Sequence, residues 1–331
     1  MISGNTDNPI IAAKAGIPEL RRIDVSNLRA DTVAEFDLYI LTEGGASPIL
    51  YRSKGLSIAH DSLNRLTRGD VREIYVDAKD EAPYFRYVES NLRSILSDSS
   101  VGTAEKAELM YGTATNLLKD AFSDPRTTDI VGRGSSLVTT TVECLLNDPN
   151  ALRELLKVAS FDYYTYTHSV NVFTFSVTLA MRLDLCHGDT LLEFGMGTLL
   201  HDIGKYQVDS DIVNCQGKLS QAQWEIMRRH PEFGYEILRE RGLDSPLALD
   251  VVRHHHEKFS GRGYPDNLVK DQIKPMVRVC SIADIFDALT TRRSYKSAVP
   301  SFPALKLMKD EMGDELDAAF FAEFVAMMGK P

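Results

Sequence analysis

Seven of the eight histidines in the chain fall between residues 168 and 256, and this clustering indicates a metal site. A single buried histidine is usually a satisfied core residue, so each one alone would be weak evidence. Together with two aspartates, five of them form the candidate ligand set: His168, His201, Asp202, His230, His255, His256 and Asp284. Imidazole and carboxylate groups together favour iron, manganese or zinc over magnesium or calcium, and copper stays open.

The spacing of these residues suggests how they are positioned. The dipeptide His201-Asp202 is predicted to end an apolar helix, and His255-His256 is predicted to repeat the same geometry on a later helix. Neighbouring helical residues point about 100° apart, so Asp202 can reach a second ion while His201 binds the first. The successive groups lie about 25 to 35 residues apart, which puts each on its own helix of a bundle, where facing side chains build di-metal sites. The other three histidines are interpreted as structural or solvated: His60, His187 and His254.

The elements predicted around these residues make a mainly α protein. Residues 151–331 are predicted to form a compact all-helical bundle, and residues 81–150 a helical linker. Residues 1–80 are predicted to form a small α+β module that senses or docks, because their strands carry no cluster of ligand-type residues.

Local patterns refine this outline. Alternating apolar residues predict a hairpin over 35–53, followed by a helix at about 61–68 and a third strand at 73–76. Ser220 with Gln223 has the pattern of a helix capping box. Ser245-Pro246 and Lys274-Pro275 place a proline in the first turn of two further helices.

The composition excludes several classes of protein. The net charge of −10 provides no diffuse positive field, so polymeric nucleic acid is not an expected partner. The four cysteines lie far apart and are interpreted as reduced, buried thiols of a cytoplasmic protein. The N-terminus lacks the pattern of a secretory signal. The uncharged stretch 163–181 contains many polar residues and is interpreted as a buried helix, so no membrane association is expected.

The motifs that contain the ligand-type residues resemble those of the HD-GYP family, a subgroup of the HD phosphohydrolases. They are HDIGK at 201–205, HP at 230–231, HHEKFSGRGYP at 255–265, ADIFDALT at 283–290 and RSYK at 293–296. Their order and spacing make the match specific, and it covers residues 160–331, about half of the chain.

The resemblance implies an HD-type helical bundle that hydrolyses cyclic di-GMP, a bacterial second messenger, to linear pGpG, with GMP open as a further product. It implies two divalent metal ions, iron or manganese, with zinc or nickel as alternatives, and a bridging hydroxide as nucleophile. The residues that match the ligands of one ion are His168, His201, Asp202 and Asp284. Those that match the ligands of the other are Asp202, His230, His255 and His256, so Asp202 bridges.

Catalytic roles are expected for Asp202 and for Lys205, whose ammonium would neutralise a phosphate oxygen if the helix continues past His201. A solvated lysine is the alternative. The residues expected to bind substrate are Lys205, Gly263, Tyr264, Pro265, Arg293 and Lys296. The loop around Tyr264 is alternatively a plain surface turn or a docking site for a diguanylate cyclase domain. A homodimer stays open.

Three positions depart from the family pattern. Some members carry a glutamate four residues before the first histidine, where it completes a third metal site; here the residue is Tyr164, so two metals are predicted. Ser260 and Arg292 stand where aspartates are common. Two other functions remain alternatives: a receptor that binds a cyclic dinucleotide or a partner without turnover, and a phosphohydrolase for another nucleotide.

Overall fold

The computed structural model describes residues 19–41, 48–68, 71, 73–148, 150–158, 165–215, 217–291 and 298–329. The chain divides into two compact units, Met1–Asn116 and Leu117–Pro331. The prediction of a mainly α protein with a small N-terminal module that contains strands is confirmed. The predicted division of the chain near residues 80 and 150 stays a prediction.

The first unit is built on a four-stranded antiparallel sheet, whose strands are β1 (Leu20–Asp24), β3 (Leu38–Leu41), β4 (Pro48–Arg52) and β6 (Glu73–Asp77). Their order across the sheet is β1-β6-β3-β4. A short ribbon pairs β2 (Val33–Ala34) with β5 (Leu56–Ser57), and the helices are α1 (His60–Arg68), α2 (Glu81–Leu96) and the first part of α3 (Thr103–Ser123). The ring of Phe36 packs edge-on against Tyr84 and Tyr87 of α2, with centroids 5.6 Å apart in both pairs.

The local predictions for this unit hold where the structure describes them. Ile40 pairs with Ile49 across the predicted hairpin, whose turn lies outside the described residues. The predicted helix and third strand are α1 and β6.

The second unit is a bundle of helices. Its helices are α4 (Ile130–Asn147), α5 (Ala151–Val158), α6 (Thr165–Arg182), α7 (Gly188–Leu199), α8 (Ser210–Val213), α9 (Gln221–Met227), α10 (His230–Glu240), α11 (Pro246–His254), α12 (Pro275–Thr290), α13 (Ser301–Met312) and α14 (Ala318–Met328). Helix α6 packs against α7, α12 and α14, while α7 also packs against α4 and α11. The rings of Phe175, Phe286 and Phe324 form one aromatic cluster where α6, α12 and α14 meet.

Helix α6 is buried around its whole circumference from Thr167 to Ala180, which explains the long uncharged stretch in the sequence. Among the described residues, no helix combines the length and the apolar character that a membrane crossing requires. Cys186 and Cys280 are buried as predicted, whereas Cys144 and Cys215 are half-buried; all four are free thiols.

The predicted helix starts are confirmed. The side chains of Ser220 and Gln223 form a reciprocal capping box at α9. Ser245 caps α11 by accepting the N–H of Ala248, and Pro246 and Pro275 lie in the first turns of their helices.

Candidate metal centre

The seven ligand-type residues converge from five places in the bundle. His168 lies on α6, Asp284 on α12, and His230 is the first residue of α10. His201-Asp202 follows the end of α7, and His255-His256 lies at and just past the end of α11. The two dipeptides therefore lie in tight turns at helix ends. The prediction from the 100° helical spacing assumed that they lie within the helices, and this assumption is wrong.

The helix also does not continue to Lys205, contrary to the geometry assumed for that residue. The backbone at Leu200 leaves helical values and a 3₁₀ turn follows at Ile203–Gln207. The turn lies so close to α10 that a Cβ at Gly204 would be 1.9 Å from the carbonyl oxygen of His230. Glycine at 204 thus lets the segment after Asp202 approach the start of α10.

Asp202 is the residue that joins two groups of ligand atoms. Its Oδ2 faces Nε2 of His201 at 3.5 Å and Nε2 of His168 at 3.6 Å. Its Oδ1 faces Nε2 of His230 at 3.2 Å and Nε2 of His255 at 3.9 Å. One carboxylate thus presents one oxygen to each group, as a ligand shared between two ions would.

In each of the two groups, the ligand atoms lie close enough together to bind one metal ion. In one group, ligand atoms of His168, His201 and Asp202 all lie within 4.8 Å of one another. In the other, the same holds for Asp202, His230, His255 and His256. Asp284 reaches both groups, because its carboxylate lies 3.0 Å from Nε2 of His168 and 3.4 Å from Nδ1 of His256.

The hydrogen bonds of the imidazoles orient them toward this cluster. The Nδ1 atoms of His201, His230 and His255 lie 2.8 Å from the backbone carbonyls of residues 198, 227 and 252. Because a carbonyl only accepts, each Nδ1 carries the proton and each Nε2 faces the cluster. This is the tautomer that a metal-ligating histidine requires.

Two features of the imidazole nitrogens indicate that a cation binds in this cluster. Nε2 of His201 is buried and has no hydrogen-bond partner among the described residues. Nε2 of His230 lies 3.2 Å from Nε2 of His255, and when both rings are neutral these atoms are two facing lone pairs. A cation in each group of ligand atoms satisfies these three nitrogens, so the residues present fit divalent metal ions.

Burial sets the charge state of the ligands. Desolvation lowers the pKa of His201, and lowers the pKa of His255 well below its ordinary value. Desolvation also lowers the pKa of His256 to about 3. Burial alone would raise the pKa of Asp202, but the ammonium of Lys205 and the nearby imidazoles hold it well below its usual range. At neutral pH the imidazoles of His201, His255 and His256 are therefore neutral, and the carboxylate of Asp202 is ionised.

Two buried carboxylates outside the predicted ligand set hold this arrangement in place. Asp287 accepts from Nδ1 of His168 at 2.6 Å with one oxygen and from the amide of Asn171 at 2.7 Å with the other. Glu257 accepts the backbone N–H groups of Asp266 and Leu268 at 2.6 and 3.0 Å. Both were missed as positioning residues, although their places three residues after Asp284 and directly after His256 were the available signals.

Beside the ligands lies a cavity of about 440 Å³. Of the residues expected to bind substrate, Lys205 and Tyr264 line it, and Gly263 and Pro265 are not among its lining residues. The ring of Tyr264 lies between the ring of His256, 4.8 Å away, and the guanidinium of Arg228, 4.7 Å away. A Cβ at Gly263 would lie 2.4 Å from the backbone of Glu257, so this glycine allows close packing of the loop. Four residues named above lie outside the described residues: Tyr164, Arg292, Arg293 and Lys296.

The remaining histidines lie away from the cluster. His254 bridges the carboxylates of Asp250 and Asp266, at 2.8 Å from each. His187 precedes α7, where its side chain is exposed, and His60 begins α1 and is also exposed.

The chain is similar to known proteins over most of its length. A model of the HD domain family matches residues 155–320. A cyclic di-GMP phosphodiesterase of Pseudomonas aeruginosa is 31% identical over 327 residues, which cover 94% of this chain and 77% of that protein. A 3′3′-cGAMP-specific phosphodiesterase of Vibrio cholerae is 35% identical over 159 residues, 48% of this chain and 34% of its own length. The solved structure of an HDG"Y"P protein from Bdellovibrio bacteriovorus has the same fold, with a TM-score of 0.65 and 21% identity, over 94% of this chain and 99% of that one.

Proposed function

Because the chain belongs to the HD-GYP family of HD-domain phosphodiesterases, we propose that it hydrolyses cyclic di-GMP to linear pGpG at a two-metal centre. The observation that carries the proposal is the carboxylate of Asp202, which presents one oxygen to each of two groups of histidines. The sequence similarity to a cyclic di-GMP phosphodiesterase over 94% of the chain supports the choice of substrate.

Two ions would be held by residues that already face one another. The first set is His168, His201, Asp202 and Asp284, and the second is Asp202, His230, His255 and His256. This mixture of nitrogen and oxygen donors suits iron or manganese. When bound, the ions supply positive charge that favours ionisation of a water and stabilises the phosphate oxygens in an in-line displacement.

The protein's own groups prepare the reaction. The hydrogen bonds on Nδ1 of His201, His230 and His255 fix the direction of these three rings, so their Nε2 atoms already face the cluster. Lys205 lines the cavity and forms an ion pair with Asp202, so its positive charge can stabilise a phosphate oxygen bound beside the ligands.

The hydrolysis exchanges one bond to phosphorus for another. The oxygen of water bonds to phosphorus, the sugar 3′ oxygen leaves, and that oxygen is protonated to a hydroxyl. Because the substrate is a ring, this cleavage opens it to a single linear product, which has a 5′ phosphate at one end and a 3′ hydroxyl at the other. Cleavage of pGpG to GMP repeats the same exchange at the remaining diester.

The other expectations extend this proposal. Docking of a diguanylate cyclase domain on residues 261–265, a cytoplasmic location and a homodimer stay predictions. Because one relative is named a 3′3′-cGAMP-specific phosphodiesterase, 3′3′-cGAMP is the second substrate to compare.

The test is a product assay on the purified protein loaded with Fe(II) or Mn(II). We expect cyclic di-GMP to yield pGpG, and Asp202→Ala to lose both the metals and the hydrolysis. Asp310→Asn, which changes an exposed carboxylate on α13, is the control and should behave like the wild type. Binding of cyclic di-GMP without any product from the metal-loaded protein would contradict the proposal in favour of a receptor. Full activity in Asp202→Ala would contradict the shared ligand.

A further inference from the structure

The cavity beside the metal centre has walls of two kinds. Ligand-type and charged side chains form one part of its lining, including His168, His256 and Lys205. Most of the rest is apolar and comes from two places, the segment 212–227 and the helices α12 and α13. A phosphodiester would be held by the polar part, whereas the apolar part fits another portion of the same ligand.

Trp224, the only tryptophan of the chain, stands out in the apolar part. Its side chain is 44% exposed although it is the largest apolar side chain in the protein. It lies on α9, a seven-residue helix whose start is fixed by the capping box of Ser220 and Gln223. A large indole on a short, well-capped helix beside a polar cluster is typical of a surface that a ligand covers.

The end of α9 is attached to the metal centre at two points. The carbonyl oxygen of Met227 accepts a hydrogen bond from Nδ1 of His230 at 2.8 Å. The guanidinium of Arg228 lies over the ring of Tyr264, which in turn packs on His256. The N–H of Arg228 donates to the carbonyl of Trp224, so the tryptophan lies one turn earlier on the same helix. Its position relative to the metal ligands is therefore set by the backbone.

We propose that Trp224 is a specificity-determining residue whose indole stacks on a purine base of the cyclic dinucleotide. This rests on the proposed function, since it concerns the base attached to the diester that is cleaved. Every purine presents a flat π face, and stacking on an aromatic side chain needs no particular hydrogen-bond pattern. The platform therefore accepts guanine or adenine, and selects nucleotide diesters over diesters without a base.

The experiment compares three variants on two substrates. Trp224→Ala removes the platform, Trp224→Phe keeps an aromatic face, and Ile226→Ala removes an apolar side chain of the same helix that is 43% exposed and is not among the lining residues. The substrates are cyclic di-GMP and its abasic analogue, in which a hydrogen atom replaces each guanine and no aromatic ring remains. Rates are measured at equal, verified metal content.

We expect Trp224→Ala to raise KM for cyclic di-GMP about tenfold or more with kcat little changed. Its rate on the abasic analogue should match the wild type, because that substrate has no ring to stack. Trp224→Phe should retain most of the affinity for cyclic di-GMP, and Ile226→Ala should change nothing. An unchanged KM in Trp224→Ala would overturn the proposal, and would leave a contact with another protein as the role of the exposed indole. An equal loss on both substrates would also overturn it.

The single tryptophan gives a second measurement that does not depend on turnover. Titration of the manganese-loaded wild type with a phosphorothioate analogue of cyclic di-GMP should shift or quench the indole emission, and unchanged emission at saturating ligand contradicts stacking. Wild-type protein that binds the analogue with an emission change but does not hydrolyse cyclic di-GMP would refute the proposed function alone. Hydrolysis with no effect of Trp224→Ala would refute this inference alone.

Discussion

At the scale of single residues, the orientation of His168 depends on a carboxylate that is not itself among the predicted ligands. Asp287 uses both oxygens, one for Nδ1 of His168 and one for the amide of Asn171. Asp287→Asn preserves the shape but leaves one acceptor oxygen, so one of the two donors loses its partner. We expect metal affinity to fall about 10- to 100-fold, measured by competition with a chromophoric chelator.

The control for this substitution is Asp310→Asn, which makes the same chemical change at an exposed position of α13. It should leave metal affinity unchanged. If Asp287→Asn binds metal as tightly as the wild type, the carboxylate does not orient His168 in the loaded protein.

Lys205 tests a different property of the site, because an ammonium contributes charge and no metal bond. Lys205→Ala removes the positive group that pairs with Asp202 and lines the cavity. We expect kcat to fall about 10- to 100-fold while the metal content per chain stays near that of the wild type. Steady-state kinetics and elemental analysis on the same sample check this. Loss of metal with a normal rate after reloading would assign Lys205 to metal retention instead.

At the scale of helices, the centre depends on how closely α7 approaches α11. A Cβ at Gly197 would lie 2.8 Å from the backbone carbonyl of Ala248 and 2.9 Å from Cβ of Val251. The chain after α7 carries His201 and Asp202, and that after α11 carries His255 and His256, so their separation sets the distance between ligands.

Gly197→Ala should therefore push the two helices apart. We expect a loss of about 1–3 kcal/mol in the free energy of unfolding, measured by urea denaturation, together with weaker metal binding. Gly102→Ala is the matched control, since a Cβ there meets nothing within 4 Å. Equal stability of the two variants would show that the bundle relaxes around the added methyl group.

Local sequence signals predicted the elements well and their junctions less well. The capping box of α9 and the strands of the hairpin follow from residues close together in sequence, and both are present. The turn after α7 was not predicted, and the chain there packs closely against α10, which lies further along the sequence. The ligand-type residues could be identified from their types and spacing in the sequence. The hydrogen bond between Asp287 and His168 could not, because it joins positions 119 residues apart.

At the scale of the whole molecule, the ligands and the cavity belong to one of the two compact units. All lining residues of the cavity lie between His168 and Met312. Helix α4 belongs to the same unit and packs against α7, the helix that precedes Asp202. A Cβ at Gly195 of α7 would lie 2.7 Å from the side chain of Val138 on α4.

We therefore expect a fragment of residues 117–331 to fold, bind metal and retain basal activity. A fragment of residues 150–331 lacks α4 and should have a lower thermal midpoint and weaker metal binding. Differential scanning calorimetry and metal analysis of the two fragments check this. Failure of the longer fragment to bind metal would mean that the first unit is required for the site.

The number and position of bound metals test the central claim most directly. Crystals of the metal-loaded protein, measured at the absorption edge of the metal, should show two anomalous peaks per chain, one near each oxygen of Asp202. Elemental analysis should give two ions per chain. A single peak, or a third fully occupied ion bound through Tyr164 or Asp287, would contradict a two-metal centre that Asp202 bridges.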